Sequence, residues 1–161
     1  MDARINLFDN ELALKFGKRF SAASMVIKHS SLPESTQELV SLRASQINGC
    51  GFCTDMHTKD ATAAGETPER LHLVAAWREA TVFTEAERAA LALVEEGTRI
   101  ADHHRGVSDE TWDQVRKHFD SEQVAALVCQ VALINAANRL NVIVRNPAGS
   151  YVPGMFDSMM S

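Results

Sequence analysis

Two cysteines and a histidine lie close together in the stretch ASQINGCGFCTDMHTKDA, which covers residues 44–61. Cys53 follows Cys50 by three positions and His57 follows Cys53 by four, so on a helix the three side chains project from one side, with neighbouring Cβ atoms about 5–6 Å apart. A disulfide needs Cβ atoms about 3.5–4.5 Å apart, which is shorter than an ideal helical pair at this spacing. A Cys50–Cys53 bond would therefore require Cys50 to lie in a looser first turn, and the break at Gly49 can supply one.

The position of the cysteines also favours reactivity. Asn48 and Gly49 are typical of a helix end, so the cysteines are expected at the start of the next helix. Unpaired N–H groups at a helix N-terminus stabilise a thiolate, which is the nucleophilic form of cysteine. His57 could add a positive charge or accept a proton.

Three interpretations of the cysteines are open from the residues alone. With no secretory signal in the first twenty residues, a reducing compartment is expected, so a Cys50–Cys53 bond would be catalytic or sensory rather than structural. A C-x-x-C pair is also half of a zinc site, but there is no second pair and His103 and His104 would have to complete it. Burial as small hydrophobic side chains is the third interpretation, and it is the one we expect for Cys129.

Composition and charge limit the class of protein. The 161 residues fit a single domain, with a core at about 10–145 and a tail at 146–161 that contains two prolines and two glycines. The net charge is −5 and the basic residues are scattered, so we expect no nucleic-acid partner. Neither a signal peptide nor a membrane span is expected, and we predict a cytoplasmic protein.

The pattern of apolar residues predicts an all-α fold, because no stretch alternates apolar and polar residues as a strand would. The predicted helices run from about Asn10 to Lys28, from Pro33 to Asn48, from Cys50 to about Ala64, from the segment ETPER through Trp77, from Thr84 to about His103, from Ser108 over Trp112 and Val115, and from Ser121 to Val144. The last helix is apolar around most of its circumference, so we expect it at the centre of a bundle.

The segment LRASQINGCGFCTDMHTKDATAAGE resembles the core of the carboxymuconolactone decarboxylase superfamily, in its alkyl hydroperoxidase D (AhpD)-like branch. That branch is marked by a glutamate, then C-x-x-C, then a histidine. Glu38 stands twelve residues before Cys50, where the branch has its glutamate, and the resemblance covers about residues 38–76. It implies an AhpD-like bundle of about six to eight helices.

The resemblance also implies a function and a role for each site residue. Cys53 would be the attacking thiol, Cys50 its disulfide partner, and Glu38 and His57 a proton relay in a dithiol-dependent peroxidase that acts on hydroperoxides. The redox-active disulfide would need no further cofactor or metal, and a lipoyl or thioredoxin-like dithiol would reduce it. Phe52 stands where the best-known members have a histidine. This difference favours an alternative function, a redox sensor or assembly protein with little turnover. A decarboxylase or lyase on the same fold is a further alternative.

Homo-oligomers are implied in the same way, because proteins of this family form trimers and hexamers with active sites near subunit boundaries. The sequence agrees in that its last helix is more apolar than a small bundle requires. The tail adds further apolar residues, namely Met155, Phe156, Met159 and Met160.

Overall fold

The computed structural model describes residues 2–156, apart from the side chain of Phe8, and within that range the chain is all-α and contains no strand. The predicted fold class is therefore confirmed. Short 3-10 turns at Leu7–Asp9 and Val74–Ala76 accompany the helices. The α-helices are α1 (Glu11–Lys28), α2 (Glu34–Asn48), α3 (Gly51–Ala63), α4 (Pro68–Leu73), α5 (Glu85–Thr98), α6 (Asp109–His118) and α7 (Ser121–Val144).

Most helix ends lie where the sequence places them, because local side chains determine them. The side chain of Asn10 accepts the N–H of Ala13 at the start of α1. Gly49 ends α2 in the left-handed region, with φ of 66°, which glycine adopts without steric cost. Thr84 and Glu87 form the predicted capping box of α5.

The central helix is α2, which packs against α3, α5 and α7. Its described side chains are largely buried, including two serines and a glutamine, and the buried residues are Thr36, Gln37, Leu39, Val40, Ser41, Leu42, Ala44 and Ser45. The expectation that α7 would occupy the centre is wrong. Four of its described residues are buried, namely Ala126, Leu127, Ile134 and Asn138.

The reason for the position of α7 is that its polar residues face inward. Gln130 donates to the Ser41 hydroxyl, and Asn138 donates to the Ser45 hydroxyl at 3.0 Å. Its outward face is apolar, with Val142 44% and Ile143 64% exposed. Within residues 2–156, α7 alone is long and apolar enough by length and composition to cross a membrane. One such helix is weak evidence for a membrane span, because core helices of soluble proteins meet the same criteria.

Two further sequence predictions, on α5 and α7, are wrong. We expected α5 to reach His103, but it ends at Thr98, because the chain turns back and the Ser108 N–H donates to the Glu96 carboxylate at 2.6 Å. The Ser108 side chain then caps α6 by accepting the N–H of Thr111. His103 and His104 consequently lie in the connection between the two helices. We expected Cys129 to be buried, but it lies on the outward face of α7 and is exposed.

Candidate active site

The turn between α2 and α3 places the two cysteines. After Gly49, the Cys50 N–H donates to the Ser45 carbonyl at 2.9 Å, which closes the end of α2 and starts α3 without a linker. Cys50 is the N-cap residue of α3, and its sulfur accepts the backbone N–H of Cys53 at 3.3 Å. Both sulfurs therefore lie at a helix N-terminus, where backbone N–H groups favour negative charge.

Cys50 and Cys53 are joined in a disulfide, with their Cα atoms 5.4 Å apart, within the usual range for such bonds. Both residues are buried, each with 1% of its surface exposed. An incoming thiol therefore cannot reach either sulfur without movement of the atoms that cover them. Among residues 2–156, no three His, Cys, Asp or Glu side chains are grouped so that they could hold a metal ion.

Glu38 and His57 meet across the α2–α3 interface. The distance from His57 Nδ1 to Glu38 Oε2 is 2.9 Å, and the two side chains are 12% and 22% exposed, respectively. Because a carboxylate can only accept, Nδ1 donates, and Nε2 of a neutral ring then carries the lone pair. Nε2 is buried and has no hydrogen-bond partner among the described residues. The ring is thus held by one nitrogen and free to take a proton on the other.

A cavity of about 230 Å³ opens beside this pair. It lies between the first turn of α2 and the last turn of α3, and Glu38 and Glu34 contribute to its walls with Gly65 and Glu66. Neither cysteine lines it. The cavity therefore gives solvent a path to the Glu38 carboxylate and not to the disulfide.

Asp60 adds a further acid on α3, one turn after His57. Burial raises the pKa of Asp60, and the nearby negative charge of Glu38 adds to the effect, while a hydrogen bond from Tyr151 opposes it without cancelling it. The Tyr151 hydroxyl donates to Asp60 Oδ1 at 2.9 Å. Sequence reasoning missed both residues. The i, i+3 spacing from His57 was a signal for Asp60, whereas nothing in the sequence indicated Tyr151.

The described part of the tail lies across the start of α3. Tyr151 is buried, and the ring of Phe52 lies 6.3 Å from the ring of Tyr151 and 6.2 Å from that of Phe156. Lys59 donates to the Tyr151 carbonyl at 2.9 Å. The aromatic ring of Phe52 therefore packs against the tail.

A third missed residue is Asn141, near the C-terminal end of α7. Its Nδ2 lies 3.5 Å from the Cys53 sulfur. The two residues are 88 positions apart in the chain, so no local spacing could have indicated the contact. Cys50 and Cys53 thus lie at the turn between α2 and α3, where Asn141 of α7 reaches Cys53, while Glu38 and His57 meet further along the interface of the two helices.

Comparison with known proteins agrees with this arrangement. A model of the carboxymuconolactone decarboxylase family matches residues 15–96, which is more than half of the chain and includes α2 and α3. The chain belongs to the carboxymuconolactone decarboxylase family. A relative in Bacillus subtilis (strain 168), the uncharacterized protein YdfG, is 43% identical over 76% of this chain and 82% of its own length.

Solved structures support the AhpD-like form of this family's fold. A protein of unknown function from Agrobacterium tumefaciens, described as a candidate antioxidant defence protein AhpD, is 33% identical with a TM-score of 0.86, over 93% of this chain and all of the other. The debrominase Bmp8, solved in complex with 2,3,4-tribromopyrrole, is 19% identical with a TM-score of 0.75, over 92% of this chain and 76% of the other. At that identity the likeness concerns the fold alone.

Proposed function

We propose that this member of the family is a dithiol-dependent peroxidase in which Cys53 attacks a hydroperoxide. The observation that supports this most is the combination of a disulfide at the start of α3 with a buried, unpartnered His57 Nε2 one turn further along the same helix. A nucleophile needs an adjacent base that is itself oriented by a third group, and Glu38 orients His57. The roles of all four residues are part of the proposal.

The reaction uses two electrons from the dithiol. The Cys53 thiolate attacks the terminal oxygen of the hydroperoxide, the O–O bond breaks, and the leaving alkoxide takes a proton relayed through His57, so that an alcohol departs and Cys53 becomes a sulfenic acid. The Cys50 thiol then attacks the Cys53 sulfur, which forms the disulfide and releases water. Glu38 holds His57 in position and returns its proton by way of the cavity beside it.

An external dithiol completes the cycle by two thiol–disulfide exchange steps. We propose a lipoyl group or a thioredoxin-like protein for this role, with the disulfide as the redox group and no other cofactor. Both sulfurs are buried and the tail packs on Phe52 between them in the chain, so we propose that the tail moves before Cys50 is attacked. A cytoplasmic location, where such reductants are kept reduced, fits this chemistry.

We propose that the chain forms a homo-oligomer, a trimer or a hexamer. Support comes from exposed apolar side chains on two helices that pack against each other, α1 and α7. On α1, Leu12 is 78%, Phe16 51% and Val26 73% exposed. Val128 and Ile143 extend the apolar surface on α7. Of the tail methionines that contributed to this prediction, Met159 and Met160 lie outside the described residues.

A second candidate function is a thiol redox sensor with little turnover. The complete burial of Cys50 and Cys53 in the disulfide favours it, because slow reduction would keep the oxidised form in place. The two functions differ in the number of catalytic cycles. A sensor consumes about one peroxide per subunit, whereas a peroxidase consumes many.

The test is peroxide consumption in the presence of a regenerated dithiol, screened with lipoamide, thioredoxin and glutathione systems. We expect repeated turnover with the wild type and with Cys129→Ser, and none above background with Cys53→Ser. Consumption that stops after about one equivalent would favour the sensor. Peroxide consumption that survives the loss of both Cys50 and Cys53 would contradict both functions.

A further inference from the structure

Asn141 supplies the hydrogen-bond donor from α7 that reaches the disulfide. The described contacts give the two sulfurs different donors: the Cys50 sulfur accepts the backbone N–H of Cys53, and the Cys53 sulfur accepts Nδ2 of Asn141. The first donor is a consequence of helix capping, which any N-cap side chain with an acceptor would show. The second depends on one side chain, and neither the family's C-x-x-C pattern nor the function proposed above requires it.

The amide of Asn141 is held in one orientation by its own helix and by the residues that follow. Nδ2 also donates to the Ala137 carbonyl at 3.0 Å, and since a carbonyl only accepts, this contact identifies the NH₂ group. Asn146 Nδ2 donates to Asn141 Oδ1 at 2.9 Å, and the Asn146 N–H donates to the Asn141 carbonyl at 2.9 Å. One amide hydrogen is therefore engaged by Ala137, and the other is directed at the sulfur.

The backbone at the end of α7 supports this arrangement. Arg145 adopts the left-handed region, with φ of 57°, so the chain reverses and brings Asn146 back over Asn141. A non-glycine residue in this region is uncommon and is retained where surrounding contacts determine it. The two bonds from Asn146 to Asn141 are such contacts.

We propose that Asn141 is a catalytic residue that stabilises the anionic form of the Cys53 sulfur by donating a hydrogen bond to it. A disulfide sulfur is a weak acceptor, which agrees with the 3.5 Å distance, whereas a thiolate is charged and binds an N–H more strongly. The same donor favours the sulfenate over the sulfenic acid. This role rests on the proposed function in assigning the attack to Cys53, and it predicts that Asn141 selects Cys53 over Cys50 as the anion.

The experiment measures the pH dependence of iodoacetamide alkylation of Cys53. In a Cys50→Ser/Cys129→Ser background Cys53 is the only thiol, and the serine keeps an N-cap acceptor. Loss of one hydrogen bond to a charged sulfur corresponds to about one pH unit. We expect Asn141→Leu to move the midpoint of alkylation upward by about one unit, and Asn141→Asp to move it further, because the new carboxylate repels the thiolate.

Asn135 gives the matched control. It lies on α7 six residues earlier and donates to Thr98 and to the Val131 carbonyl, with no described sulfur contact. If Asn141 acted only by holding α7 in place, Asn135→Leu would shift the midpoint equally. Equal midpoints in the parent and in both folded Asn141 variants would overturn the proposal, and so would an equal shift in Asn135→Leu.

A second measurement covers the case in which the Asn141 variants do not fold. In reduced protein with Asn141 intact, the side-chain NH₂ signals of Asn141 in a ¹⁵N-labelled NMR spectrum should titrate with the midpoint of Cys53 alkylation. Signals that stay constant across that midpoint would overturn the proposal. Neither measurement uses peroxide, so a failure of the peroxidase function would appear in the turnover assay and leave these results unaffected.

Discussion

Replacing Glu38 by glutamine tests the proton relay with little change in shape. Glutamine retains an oxygen that can accept from His57 Nδ1 but removes the negative charge that stabilises a protonated ring. The pair is partly buried, with side chains 12% and 22% exposed, so solvent screens the interaction only in part. General acid–base catalysis contributes about 10²–10⁴-fold, and since the orientation of the ring is partly kept, we expect kcat/KM to fall by about 100-fold.

The assay is a single turnover of reduced protein with a hydroperoxide, in which formation of the Cys50–Cys53 disulfide is followed by quenching and thiol counting. Glu34→Gln is the matched control, because Glu34 lies one turn earlier on α2 and lines the same cavity. We expect it to react within about twofold of the wild type. A Glu38→Gln rate equal to that of Glu34→Gln, in protein with unchanged melting temperature, would refute the relay.

Three further predictions concern the surroundings of the site. Glu95 forms an ion pair with Arg43 at 2.5 Å, and both side chains are largely buried. Removing the charge of one partner costs about 3 kcal/mol, so Glu95→Gln should lower Tm by about 6–12 °C. An unchanged melting curve would contradict this. Burial raises the folded-state pKa of Asp60, so ionising Asp60 between about pH 4 and about pH 7 destabilises the folded wild type. Asp60→Asn lacks this ionisation, so its Tm minus that of the wild type should increase over the same interval. A difference in Tm that stays constant with pH would contradict the raised pKa. Phe52→Ala should speed reduction of the disulfide by dithiothreitol several-fold, because the tail loses its ring contacts at α3; an unchanged rate would show that the tail does not limit access.

Sequence reasoning succeeded where local chemistry decides the structure. The side chain of Asn10, the glycine at position 49 and the Thr84–Glu87 pair fix helix ends through contacts within a few residues. The break at Asn48 and Gly49 likewise placed Cys50 and Cys53 at the start of α3, and the family resemblance implied the disulfide between them. These features depend on contacts within a few residues, so a short segment of sequence is enough to predict them.

Sequence reasoning failed where contacts join distant parts of the chain. Composition alone gave α7 an apolar surface suited to the core, but buried hydroxyls on α2 require polar partners, so Gln130 and Asn138 turn inward and Cys129 turns outward. Asn141 and Tyr151 reach the site through the same packing, about ninety residues from their partners. No pattern within a single helix predicts such pairs.

The central claim is that the Cys53 sulfur takes the oxygen from the peroxide, and mass spectrometry can test it directly. Reduced Cys50→Ser protein is mixed with one equivalent of a hydroperoxide and trapped with dimedone, which labels sulfenic acids. The account predicts a single label on Cys53 and the release of one equivalent of alcohol. A label on Cys129 with Cys53 unmodified, or peroxide consumed equally by Cys53→Ser, would contradict it.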